Sequence, residues 1–128
     1  MKASVSVRVE GRMKTGDDPA LPIEIAERDF SAQVLQSKQP VLVEFWAPWS
    51  PTCQDLDFVL KEVAAALAGK VKVIKVNVED SPELSLWYDI ELIPTLLCFV
   101  QGRLMVQIVG SASKQAILAK LKSFAAPA

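Results

Sequence analysis

Between Val41 and Val78 the chain runs through an apolar stretch, an amphipathic stretch and a second apolar stretch, and this succession constrains the fold more than any other feature. The first stretch, VLVEFW from Val41 to Trp46, is apolar on both faces apart from Glu44, which is the pattern of a central strand in a parallel sheet covered by helices on each side. From Leu56 onward the apolar residues fall at Leu56, Val59, Leu60, Val63, Ala64 and Leu67, the spacing of one helical face, and Gly69 is placed to end that helix. The third stretch, Val71 to Val78, reads as a strand. Strand, helix, strand in this order requires a right-handed crossover with the two strands parallel.

The flanks extend the same alternation. Ile23 to Ala26 reads as a short strand, followed by a short helix capped by Asp29. Asp80-Ser81-Pro82-Glu83 opens another short helix through Tyr88, with Pro82 at its first position. Thr95 to Val100 and Arg103 to Val109 are strands whose Gln101-Gly102 link suits a hairpin, and Ile117, Leu118, Leu121 and Phe124 give a final helix its apolar face. The expected class is α/β, a central mixed β-sheet flanked by helices on both faces. The 128 residues suffice for one domain, expected over 21–128, behind an N-terminal extension over 1–20. In that extension Val5, Val7 and Val9 alternate as an extra edge strand would, whereas Gly11, Gly16 and Pro19 suit a flexible arm.

Composition removes several classes of chemistry. A net charge of −1 gives no polyanion-binding surface, so nucleic acid is not an expected partner. The N-terminus has no apolar signal core, and no stretch approaches the ~18 apolar residues of a membrane span, so a cytoplasmic location without a membrane partner is expected. The chain has no histidine and only two cysteines, Cys53 and Cys98, which excludes Ser-His, Cys-His and zinc-hydrolase mechanisms and leaves no metal site to expect.

The chemistry-bearing stretch is WAPWSPTCQ. Ser50 before Pro51 is a natural helix N-cap, which puts Pro51 at the first helical position and Cys53 at the third. Free N–H groups and the dipole at a helix start favour a thiolate, while the negative charges of Asp55 and Asp57 oppose it, so a moderately reactive or partly buried Cys53 is expected. Ser-Pro opens a helix again at Ser81-Pro82, so the pair at 50 and 51 also reads as capping chemistry alone. Cys98 lies mid-strand as a small hydrophobe, and no Cys53–Cys98 disulfide is expected between separate packed elements. Glu44, inside an apolar strand, is costly to ionise and should hold its proton toward neutral pH, unless it is exposed at a strand end or paired with Lys75.

The stretches VLVEFWAPWSPTC, KVIKVNVEDSPEL and YDIELIPTLLCFVQGRLMVQIVGSASKQAILAKL make residues 22–124 resemble thioredoxin over about four fifths of the chain. The resemblance is carried by Phe45-Trp46-Ala47, the turn from Trp49 to Cys53, Ile93-Pro94-Thr95 and Val109-Gly110. It implies the thioredoxin fold, thiol–disulfide oxidoreductase chemistry on protein disulfides, an NADPH-dependent thioredoxin reductase upstream, and no organic cofactor or metal. Thioredoxins carry Trp-Cys-Gly-Pro-Cys, whose first cysteine attacks and whose second resolves; the matching positions here read Trp49-Ser50-Pro51-Thr52-Cys53.

By that resemblance Ser50 occupies the attacking position, Cys53 the resolving one, and Glu44 beside Lys75 handles the proton of Cys53. The Ile93–Pro94 bond is implied to be cis, and Trp49, Pro51, Thr52, Ile93, Pro94 and Gly110 to form a groove for an extended peptide. Trp46 would pack beneath the turn, Trp87 and Tyr88 would be core and rim, and Leu92 would make the groove greasier or narrower. A hydroxyl does not undergo thiol–disulfide exchange, so the chain should be inactive or one-thiol only. Three readings of Ser50 remain: a substitution in an otherwise working enzyme, a natural one-thiol reagent or sensor, and a redox-inactive module that binds extended peptides or partner proteins.

Overall fold

The computed structural model describes residues 18–125. The two readings of the N-terminal extension therefore fall largely on residues 1–17, outside the described part. Asp18 Oδ1 accepts from the Ala20 N–H at 2.9 Å, a side-chain turn that leads toward the strand at Ile23–Glu24.

The elements are β1 (Ile23–Glu24), β2 (Val41–Trp46), α1 (Pro51–Ala66), β3 (Lys72–Asn77), α2 (Pro82–Trp87), β4 (Thr95–Val100), β5 (Arg103–Val109) and α3 (Lys114–Ala125). Among the described residues the sheet has five strands in the order β1-β3-β2-β4-β5. β1 and β2 run parallel to β3, as the crossover through α1 demands, while β4 is antiparallel to β2 and β5 to β4. The fold is thus the expected α/β arrangement, with a mixed sheet between helical layers.

Alternation along β2 divides the interior into two cores. Leu42 faces α1 and α3, packing with Leu56, Leu60 and Leu121. Val41, Val43 and Phe45 face the other way, toward Phe30, Leu84 and Phe99. Both faces of β2 are covered, which explains its nearly unbroken apolar run, and each fully buried Leu or Phe contributes roughly 1.5–3 kcal/mol.

One expected element takes a different form. Where a helix capped by Asp29 is predicted, the chain makes a 3-10 turn at Glu27–Asp29 and then a single π-helical turn at Ser31–Leu35. Asp29 lies inside the first turn and caps nothing; the N-cap position belongs to Ala26, which has no capping side chain. Tertiary packing overrides the capping signal here: the turns lower Phe30 and Val34 into the second core, where Phe30 meets Tyr88 and Phe99 at ring-centroid distances of 5.6 and 5.7 Å. The helix expected to end at Gly69 closes slightly earlier, with Leu67 as its C-cap.

The β4–β5 hairpin turns at Gln101 (φ 50°) and Gly102 (φ 80°), the two positive angles of a type I′ turn. A Cβ at Gly102 would stand 2.9 Å from the Leu35 carbonyl oxygen, so glycine is required there both by the angle and by the close approach of the π turn. Among the described residues no helix is long and apolar enough to cross a membrane.

Candidate active site

The C-terminal end of β2 delivers the chain into the turn that starts α1. Ser50 is extended (φ −90°, ψ 116°), and its Oγ accepts from the Cys53 N–H at 3.2 Å, which makes it the N-cap, with Pro51 first and Cys53 third in the helix. The Ser50 N–H in turn donates to the Ala47 carbonyl at 3.2 Å. Ser50 and Cys53 are both buried, at 6% and 3% exposure, while Pro51 and Thr52 lie open to solvent. Both cysteines are free thiols. Cys98 sits mid-strand in β4, where burial pushes its thiol up to about 11, consistent with an inert core side chain.

Glu44 lies on the α1 face of β2, two residues from Leu42 and from Trp46. It is fully buried, and among the described residues neither carboxylate oxygen has a hydrogen-bond partner. Burial pushes its pKa from 4.5 up to about 7; Lys75 pulls against this shift and the Asp57 carboxylate adds to it. Glu44 and Lys75 are register partners on adjacent strands, yet the expected alternative of a direct pair is not what forms. Lys75 Nζ donates to Asp57 Oδ1 at 2.8 Å and stands 4.2 Å from the centroid of the Trp46 ring.

Asp57 is the residue whose role sequence reasoning missed. It lies one helical turn after Cys53, a signal that it shares the face of the thiol, but its partner Lys75 is 18 residues away on β3. Lys61 also approaches Asp57, at 3.5 Å. Although partial burial works the other way, the hydrogen bond and charge of Lys75, helped by Lys61, hold the Asp57 carboxyl below its usual range. Trp46, Cys53, Asp57, Phe58 and Lys75 line a cavity of about 320 Å³ on this side of the turn. The indole N–H of Trp46 is buried without a partner among the described residues.

On the other side of the turn Trp49 is 65% exposed, and its Nε1–H donates to Glu79 Oε2 at 2.6 Å. Trp49 and Ile93 stand across a groove of about 590 Å³ whose walls include Val78, Leu86 and Ile90. The Ile93–Pro94 peptide bond is cis, and the Pro94 carbonyl accepts from the Gly110 N–H at 2.8 Å, which brings those residues together beside the groove. Gly110 has φ 87°, and a Cβ there would meet nothing within 4 Å among the described residues, which leave the space above it open. Leu92 is exposed.

Trp87 departs from its expected place in core or rim. At the end of α2 it is 76% exposed, while its neighbour Tyr88 is half-buried against Phe30, Phe45 and Phe99. Among the described residues no group of three or more His, Cys, Asp or Glu side chains stands close enough together to hold a metal ion.

The Thioredoxin family model matches residues 22–123, which span the sheet, the Ser50–Cys53 turn and the Pro94 segment. The chain belongs to the thioredoxin family. Among similar members, Thioredoxin 1 of Nostoc sp. is 40% identical over 91 residues, covering 71% of this chain and 85% of that one. The thioredoxin of Synechocystis sp. is 36% identical over 101 residues, 79% of this chain and 94% of its own length. A bifunctional thioredoxin reductase/thioredoxin of Mycobacterium leprae is 35% identical over 109 residues, 85% of this chain but 24% of that protein. Within this family frame, Ser50 is a hydroxyl seated as the helix cap, accepting from the Cys53 N–H.

Proposed function

We propose that this thioredoxin-family chain is a thiol–disulfide oxidoreductase in lineage that, with Ser50 in place, works through one thiol. The observation that carries this reading is the Ser50–Cys53 geometry: the hydroxyl is used as a helix cap, and Cys53 is left as the sole thiol of the turn. In the reaction, Cys53 gives its proton to Glu44, attacks one sulfur of a target disulfide and forms a Cys53–sulfur bond. The target S–S bond breaks, and the second target sulfur leaves as a thiolate. Ser50 cannot displace the bound target, so the mixed disulfide persists until an external thiol exchanges with it. Lys75, tied to Asp57, sets the charge beside Glu44.

Trp49, Pro51, Thr52, Ile93, Pro94 and Gly110 dock the target as an extended segment; the exposed Trp49 and the open space at Gly110 support this. The domain spans residues 21–128, behind an N-terminal extension, in the cytoplasm. An NADPH-dependent thioredoxin reductase is its upstream partner, a role suggested by the Mycobacterium leprae relative, whose name joins the two activities.

A second reading, a redox-inactive module that binds extended peptides or partner proteins through the same groove, is favoured by the 3% exposure of Cys53. Insulin reduction with excess dithiothreitol, comparing the chain with Ser50→Cys, tests both. Strong turnover in the variant and none in the parent is expected. A variant as inactive as its parent would overturn the enzyme reading in favour of the binding module.

A further inference from the structure

The groove beside Trp49 is apolar inside and acidic at its edge. Val78, Leu86, Ile90 and Ile93 supply apolar walls, and Asp89 and Glu91 line the same hollow. Glu79 stands at its border, holding the Trp49 indole in place through the 2.6 Å hydrogen bond. Glu79 is itself positioned by its backbone N–H, which donates to Asn77 Oδ1 at 2.9 Å, so this wall is set before any ligand arrives. The charge bias is not local to one side chain: between Lys75 and Arg103 the sequence has five acidic residues and no Lys or Arg. Two of these, Asp80 and Glu83, continue the acidic surface across the start of α2. Leu86, 80% exposed, adds apolar area that water covers only at a cost.

We propose that this groove selects, among extended polypeptide segments, those carrying an apolar side chain flanked by Lys or Arg. The proposal rests on the docking reading above and adds the chemistry of the target. The apolar residue enters between Trp49 and Ile93, and the flanking cations meet Glu79, Asp89 and Glu91 at the rim. An acidic segment of the same shape is repelled by the same three carboxylates. Exposed ion pairs are individually weak and screened by salt, so selection amounts to about tenfold in affinity at low ionic strength and shrinks as salt is added.

The test uses the intact chain and two cysteine-free synthetic peptides with a common Leu-Phe centre, one flanked by Lys and one by Glu. Binding is followed by NMR shifts of the Trp49 indole N–H and the Ile93 amide. The lysine peptide should bind about tenfold more tightly and shift both signals. Its advantage should vanish with added salt and in the combined Glu79→Gln, Asp89→Asn, Glu91→Gln variant. Equal binding of both peptides, with shifts at Trp49 and Ile93, would overturn charge selection and leave the docking reading standing. No shift at either position from either peptide would overturn both. Lysine-dependent shifts confined to the Glu24 and Glu27 surface would place the basic ligand elsewhere and also defeat the proposal.

Discussion

Lys75 and Asp57 are joined at 2.8 Å, an ion pair that ties β3 to α1 and engages the lysine with a carboxylate other than its strand neighbour Glu44. The consequence is a division of labour between two acids on one side of the Cys53 turn. Asp57, partly open to solvent and facing two lysines, is held ionised. Glu44, sealed below it without a hydrogen-bond partner among the described residues, is held near the midpoint of its titration at neutral pH.

Asp57→Asn should therefore change Glu44 more than it changes the fold. Losing the Asp57 charge removes one cause of the raised Glu44 pKa and frees Lys75 to turn toward it. Both effects act downward, so the Glu44 carboxyl should titrate below about 7 in the variant, as followed by carbon-13 NMR of the side chain. An unchanged midpoint would mean that Lys75 is not held away by Asp57.

Stability should depend on the same proton. The folded chain holds the Glu44 proton up to about 7, whereas an unfolded glutamate releases it near 4.5, so the native state binds more protons between those values. Unfolding free energy from this group accordingly falls as pH rises from 4.5 to about 7 and is level above that. The loss is on the order of 3 kcal/mol. Urea unfolding across this range should show that slope in the difference between the parent and Glu44→Gln, because other carboxylates cancel in the subtraction. A difference that does not change with pH would contradict the buried, unpaired state of Glu44.

Ser50 bears on stability as well as chemistry. Ser50→Ala removes the hydroxyl that accepts from the Cys53 N–H and leaves that donor buried, so the variant should lose about 1 kcal/mol and melt at a lower temperature. Calorimetry of the two proteins checks this directly. An unchanged melting temperature would show that the cap contributes nothing to stability.

Much of the fold was legible because its signals are local. The two-faced apolar run of β2, the single apolar face of α1, and Ser50-Pro51 at the helix start each declare themselves within a few residues. The place of Cys53 at the third helical position follows from those elements by counting, whereas the burial of Glu44 was one of several readings the sequence left open. What was misread depended on distant partners. Asp29 has the chemistry of a cap, but burial of Phe30 and Val34 against the sheet decided the geometry there. Trp87 has the chemistry of a core residue, but the short α2 turns Leu84 inward and leaves Trp87 in solvent.

The sequence by itself determined the order of strands and helices, the capped turn with its lone Cys53, and the absence of a thiol at position 50, because each is written in neighbouring residues. Only the tertiary structure decided which acid takes Lys75, and that Trp49 closes an acid-rimmed groove through Glu79. Charges select partners by distance and burial, and the chain sets both only after β3, α1 and the Trp49 turn have packed together.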